Sequence, residues 1–216
     1  MDFVGIIDYI NTLLPSNEEI KKALRVEKKT YPEVAIREFV ANALIHQDFS
    51  ITGTAPLIEI FTNRIEITNP GIPLIDVDRF IDHPPKSRNE HLASLMRRFG
   101  FCEESGSGVD RALIEIEIFQ LPAPKFETYD EFTRITLLAP LGINNMTEED
   151  KIRACYQHCV LKYLTKTERM TNTSLRERLG IKESNYPAAS KIIRLTINKR
   201  LIKEAEKAKE YVPWWA

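Results

Sequence analysis

The chain has 216 residues, 43% of them hydrophobic and 28% charged, a balance ordinary for globular proteins and enough for one large or two small domains. No apolar run approaches the roughly 20 residues needed to span a bilayer, and MDFVGIIDYINTLL lacks the basic region and cleavage site of a secretory signal; a cytoplasmic protein with no membrane segment is expected. The net charge of −1 hides an asymmetry: residues 146–216 carry 15 Lys+Arg against 9 Asp+Glu, and residues 1–145 carry 15 against 22, which points to a basic module with an acidic partner.

In chain order, residues 3–14 have the pattern of an amphipathic helix stopped by Pro15, and a second short helix is expected over Glu18–Leu24. TYPEVAIREFVANALIHQD (30–48) follows. Thr30 and Glu33 have capping-box spacing and Pro32 suits a first turn. Apolar residues wrap nearly the whole helix, so it is expected to be buried on most sides. Glu38, Asn42 and His46 nevertheless recur four apart along one face. A carboxylate and an amide on a buried helix need partners; either a structural hydrogen-bond network or a polar pocket would supply them.

PLIEIF (56–61) and RIEIT (64–68) alternate on either side of a short turn, the pattern of a β-hairpin ending in Asn69-Pro70-Gly71. Residues 72–89, rich in Pro and Asp, are expected to form a loop or mobile cover carrying Lys86 and Arg88 within reach of phosphate oxygens. A helix over 91–99 stops at Gly100. The turn Gly106-Ser107-Gly108 runs into another helix, a geometry that offers backbone N–H groups to an anion. Strands are expected near 125–129 and 132–138, so the first part is an α+β domain with a mostly antiparallel sheet. Pro140–Asn145 is a plausible linker.

Residues 146–216 suggest helices over Glu148–Leu164, Thr173–Leu179 and Ser184–Lys199, then two short strands: a winged-helix layout. Lys191, Arg194 and Asn198 share the polar face of the third helix and Lys199 continues it, where DNA contact would occur. A solvated helix face on a protein-interaction module is the alternative. Cys155, His158 and Cys159 share a helix face, but no fourth ligand stands at zinc spacing, and Cys102 completes no disulfide framework.

REFVANALIHQDF, IEIFTNRIEITNPGIP and RNEHLASLMRRFGFCEESGSGVDR together resemble the RecG-related ATP-dependent helicase and transcriptional-regulator family, whose ATP-binding domain belongs with the gyrase, heat-shock chaperone, histidine kinase and MutL proteins (GHKL). The resemblance implies a Bergerat-type helix-and-antiparallel-sheet sandwich over residues 1–140, a linker at 141–145, and a winged helix over 146–216. It implies Glu38 as a general base and Asn42 as an oxygen ligand of Mg²⁺. Asn69 and Gly71 would lie beside adenine, and Gly106 and Gly108 around the phosphates. Asn69 stands where most of the wider superfamily has Asp, which weakens the bond to the adenine amino group.

The chain has no Gly-x-x-x-x-Gly-Lys-Ser/Thr loop, so translocation along DNA is not expected. What the resemblance implies is a regulator binding Mg·ATP and double-stranded DNA, with a homodimer compatible. That family often carries an additional N-terminal DNA-binding domain, which residues 1–216 do not include, so a fragment or a short member is expected. A slow ATPase, and an interaction or dimerisation module with a decayed nucleotide site, are the alternatives.

Overall fold

The computed structural model describes residues 2–21, 24–84, 86–102, 108–165 and 168–216. Its contacts divide the chain into two compact units, Met1–Ala139 and Pro140–Ala216.

The first unit begins with helix α1 (Phe3–Leu13), whose first turn is closed by Asp2 accepting from the Gly5 N–H. The segment expected as a second helix is instead a two-stranded hairpin, β1 (Ser16–Lys21) against β2 (Leu24–Lys29), in register from Ser16↔Lys29 to Lys21↔Leu24. A helix of seven residues lies below the length at which helical propensity sustains itself. Pairing with the next segment satisfies the same backbone groups.

Helix α2 (Glu33–His46) is the apolar helix foreseen, with Ala35, Ile36, Phe39 and Ala41 wholly buried. Its N-cap is Pro32, without a side-chain cap. The capping box expected from Thr30 and Glu33 does not form. Glu33 pairs with Lys29 at 2.8 Å instead, and the Pro32 carbonyl accepts from the N–H groups of Ala35 and Ile36.

Strands β3 (Leu57–Phe61), β4 (Arg64–Pro70), β5 (Lys125–Tyr129) and β6 (Phe132–Leu138) form one antiparallel sheet in the order β3-β4-β6-β5. Alternation puts Ile65 and Ile67 of β4, with Ile135 and Leu137 of β6, on the face turned to α2 and α4 (Gly108–Ile118), where Leu113 and Ile116 complete the core. On a second side of α2, Ala41 and Ile45 pack with Ala93 and Met96 of α3 (Glu90–Arg98). Gly100, at φ +71°, ends α3, and the Phe101 N–H returns to the Met96 carbonyl.

The second unit contains α5 (Glu148–Leu164), α6 (Asn172–Leu179), α7 (Tyr186–Asn198) and the strand pair β7 (Ile202–Glu204) and β8 (Tyr211–Pro213). Thr147 and Asp150 make a reciprocal capping box on α5, and Gly180 closes α6 in the left-handed region. Cys155 and Cys159 are buried in its core, Cys155 Sγ lying 3.9 Å from Met170 Sδ. Burial pushes the Cys155 thiol up to about 12, so it stays protonated and behaves as an apolar side chain. Among the described residues no group of three His, Cys, Asp or Glu is placed to hold a metal ion, and no helix is long and apolar enough to cross a membrane.

Asp110, in the first turn of α4, has an oxygen buried without a hydrogen-bond partner among the described residues. Burial and then the nearby Asp82 carboxylate raise its pKa to about 6. A raised acid pKa means that the folded chain holds a proton the unfolded chain has released, so stability falls as pH rises from about 4 to 6. Asp110→Asn is therefore expected to raise the melting temperature at pH 7 to 8, with the gain shrinking towards pH 4. A gain independent of pH would contradict this.

Candidate nucleotide site

The polar stripe on α2 opens onto a cavity of about 180 Å³ that reaches the surface of the first unit. Glu38, Asn42 and His46 form one wall. Asn69 and Thr133, cross-strand neighbours on β4 and β6, form another with Ile135 and Phe126. Gly108, the first residue of α4, closes the inner side. The stretches around Glu38, Asn69 and Gly108, well separated in sequence, thus surround one space. Gly106 lies outside the described residues.

Glu38 is 1% exposed. One carboxylate oxygen is 3.1 Å from Arg37 Nη2, which compensates a buried charge that would otherwise be costly. The other oxygen stands against Gly108, where any Cβ would overlap it. Glycine is needed there for close approach of α4 to α2 rather than for an unusual dihedral.

Asn42 faces the cavity, and among the described residues no group hydrogen-bonds its side-chain amide. Asn69 is 4% exposed and its Nδ2 donates to the Pro70 carbonyl at 3.2 Å. That bond orients the amide, and no described group donates to its oxygen. The Thr133 hydroxyl donates to the Gly71 carbonyl at 2.6 Å. With its hydrogen engaged, Thr133 has only lone pairs left to offer. Asn42 supplies the neutral oxygen donor a hard cation such as Mg²⁺ accepts.

Gly71 has φ +112°, a region that favours glycine. A Cβ there would also lie 3.0 Å from Asp48 Cβ and 3.2 Å from the Asp48 backbone nitrogen. The Asp48 N–H donates to the Pro70 carbonyl at 2.8 Å. The hydroxyl and N–H of Ser50, with Arg88 adding to them, hold the Asp48 carboxyl below its usual range. Asp48 thereby fastens the end of α2 to the turn after β4.

The segment read as a loop or mobile cover has no strand or α-helix before α3 among the described residues. The short 3-10 turn Val77–Arg79 is followed by Phe80, which packs edge-on against Phe126 with ring centroids 5.4 Å apart. Arg88 was expected to reach phosphate. Its guanidinium instead donates to Asp48 Oδ2 at 3.0 Å, to the His46 carbonyl at 3.2 Å and to the Ile72 carbonyl. It borders the cavity as a tie between α2 and the turn. Lys86 also borders the cavity and is exposed. Burial, then Arg88, lowers the His46 pKa and favours the neutral ring.

Asn89 carries a role the sequence did not signal. Its Nδ2 donates to the carbonyls of Ile45 (2.9 Å) and Gln47 (2.8 Å), satisfying groups left over at the end of α2. Arg97 of α3, also on the cavity wall, was likewise missed. In the second unit, Lys191, Arg194 and Asn198 are exposed on α7, and Lys199 is its C-cap. Lys191 also borders a cavity of about 400 Å³ with Lys151 and Lys182. Trp214 is 48% exposed. Trp215 meets Tyr163 edge-on at 5.4 Å.

Residues 53–137 match a family model described as "Putative ATP-dependent DNA helicase recG C-terminal". The matched stretch takes in the sheet, α3 and α4, and supports a RecG-related, ATPase-like domain there. Over 98% of its length the chain is also similar in fold to the DIP2311 protein from Corynebacterium diphtheriae, with TM-score 0.57 and 18% identity. It covers 45% of that protein, so it spans less than half of that length. No curated protein matches the chain.

Asn89→Ala removes both bonds at the end of α2 and is expected to reduce stability by about 1–2 kcal/mol. Urea unfolding checks it; an unchanged midpoint would mean that these bonds do not hold the rim.

Proposed function

We propose that the first unit binds Mg·ATP in the cavity between α2, the Asn69-Pro70-Gly71 turn and the start of α4. In this reading the first unit is a Bergerat-type domain of the GHKL kind. The observation that carries it is the Asn42 amide, facing the cavity without a partner among the described residues. A half-buried amide left that way is unfavourable, and an oxygen-seeking cation would relieve it. Asn69 and Thr133 offer acceptors suited to the amino group of a base. The positive end of α4 at Gly108 suits phosphate. The match over residues 53–137 to an ATPase-like family supports the same reading.

Asn42 would hold the metal, Asn69 and Gly71 would flank the base, and Gly106 and Gly108 would lie by the phosphates, with Lys86 at the rim. The metal, when bound, would neutralise phosphate charge. Slow hydrolysis is the second reading, favoured by Glu38 lying on the cavity wall; there Glu38 would act as general base.

The second unit we read as a winged helix binding double-stranded DNA through Lys191, Arg194, Asn198 and Lys199. Three helices followed by a strand pair support this, as does the positive charge of residues 146–216. The whole chain would then be a cytoplasmic, nucleotide-responsive transcriptional regulator rather than a translocating helicase, and it could act as a homodimer.

Calorimetry with Mg·ATP tests the first part. Wild type is expected to bind, and Asn42→Ala to weaken binding by about tenfold or more, the loss of one charge-assisted ligand, with the melting temperature unchanged. Absence of nucleotide binding by wild type at millimolar ligand would overturn it. For the second part, DNA affinity is expected to fall steeply with salt, and Arg194→Ala to reduce the logarithmic salt slope by about one. An affinity insensitive to salt would contradict it.

A further inference from the structure

Two arginines end α3, and the sequence gives no reason to distinguish them. The fold does. Arg97 stands four residues after Ala93, which is fully buried, and directly after Met96, which is 6% exposed. It therefore leaves the helix at the edge of the buried face, and it is half-buried on the wall of the cavity. Arg98 is exposed and does not border the cavity. Both share whatever benefit the C-terminal end of α3 gives a cation, so that benefit does not explain why one of them faces inward.

The other charges around the cavity narrow the role. Arg88 has three of its donors fixed on Asp48 and two carbonyls. Glu38, the one carboxylate among the described residues that line the cavity, is paired with Arg37. Lys86 is exposed. Arg97 has no carboxylate or hydrogen-bond partner among the described residues. A half-buried guanidinium left so favours an anion, and its planar fork matches two oxygens of a phosphate group.

We propose that Arg97 is the residue that grips the phosphate chain of the nucleotide, a part the sequence suggested for Lys86 and Arg88. This rests on the nucleotide reading above and adds to it which cation meets the phosphates.

The test is calorimetry on the full chain with Mg·ATP and, separately, adenosine, for wild type, Arg97→Gln, Arg97→Lys and Arg98→Gln. Melting curves are recorded alongside to establish folding. Arg97→Gln is expected to weaken Mg·ATP by about 10- to 100-fold, the range for a charged hydrogen-bonded pair, and to leave adenosine within about twofold. Arg97→Lys keeps the charge without the fork and is expected to fall between wild type and Arg97→Gln. Arg98→Gln is expected to bind Mg·ATP as wild type does. If Arg97→Gln binds Mg·ATP normally, or if ATP and adenosine weaken together, the assignment of Arg97 is overturned while the nucleotide site stands. Wild type that binds neither ligand would overturn the site itself, and Arg97 with it.

Discussion

Everything in the first unit turns on one contact, the buried carboxylate of Glu38 against the bare Cα of Gly108. Helices α2 and α4 can approach this closely only where one of them has no side chain. Arg37 makes the arrangement tolerable by sitting on the carboxylate's other oxygen, since a lone charge at that depth would be shed or would unfold its surroundings. The result brings the start of one helix to the polar stripe of another. Between them lies space bordered by amides rather than a sealed apolar core.

The opposite side of that space is set by a second constraint. Gly71 occupies a backbone region closed to most residues and lies against Asp48. Asp48 and Arg88 then bind the end of α2, the turn after β4 and the segment entering α3 into one frame. The two glycines act for different reasons, one for room and the other for its dihedral. Both leave Asn42 and Asn69 facing the same cavity with oxygens that no described residue engages. A cavity of that kind suits a ligand that brings its own donors and its own cation, which is why Mg·ATP is the reading favoured here.

Much of this was legible in the sequence. Alternation in LIEIF and RIEIT located β3 and β4, and the four-residue recurrence of Glu38, Asn42 and His46 located the cavity wall. These are local periodicities, fixed by the geometry of a strand or helix. The misreadings share a cause. Glu18–Leu24 suggests a short helix but falls within the β1–β2 strand pair, because pairing with a neighbour outweighs weak propensity. Thr30 and Glu33 have the spacing of a capping box, yet Glu33 is drawn to Lys29. Arg88 looked like a phosphate ligand because its partners, Asp48 and the His46 and Ile72 carbonyls, lie far from it in sequence. Nothing local separates Arg97 from Arg98 either; only the packing of Ala93 and Met96 shows which one turns inward.

The most direct measurement is a crystal structure grown with Mn²⁺ and a non-hydrolysable ATP analogue, read by manganese anomalous scattering. The account predicts a manganese peak beside the Asn42 side-chain oxygen, with the base near Asn69 and Thr133. Nucleotide density elsewhere on the chain, or a cavity with neither metal nor nucleotide at saturating ligand, would contradict it.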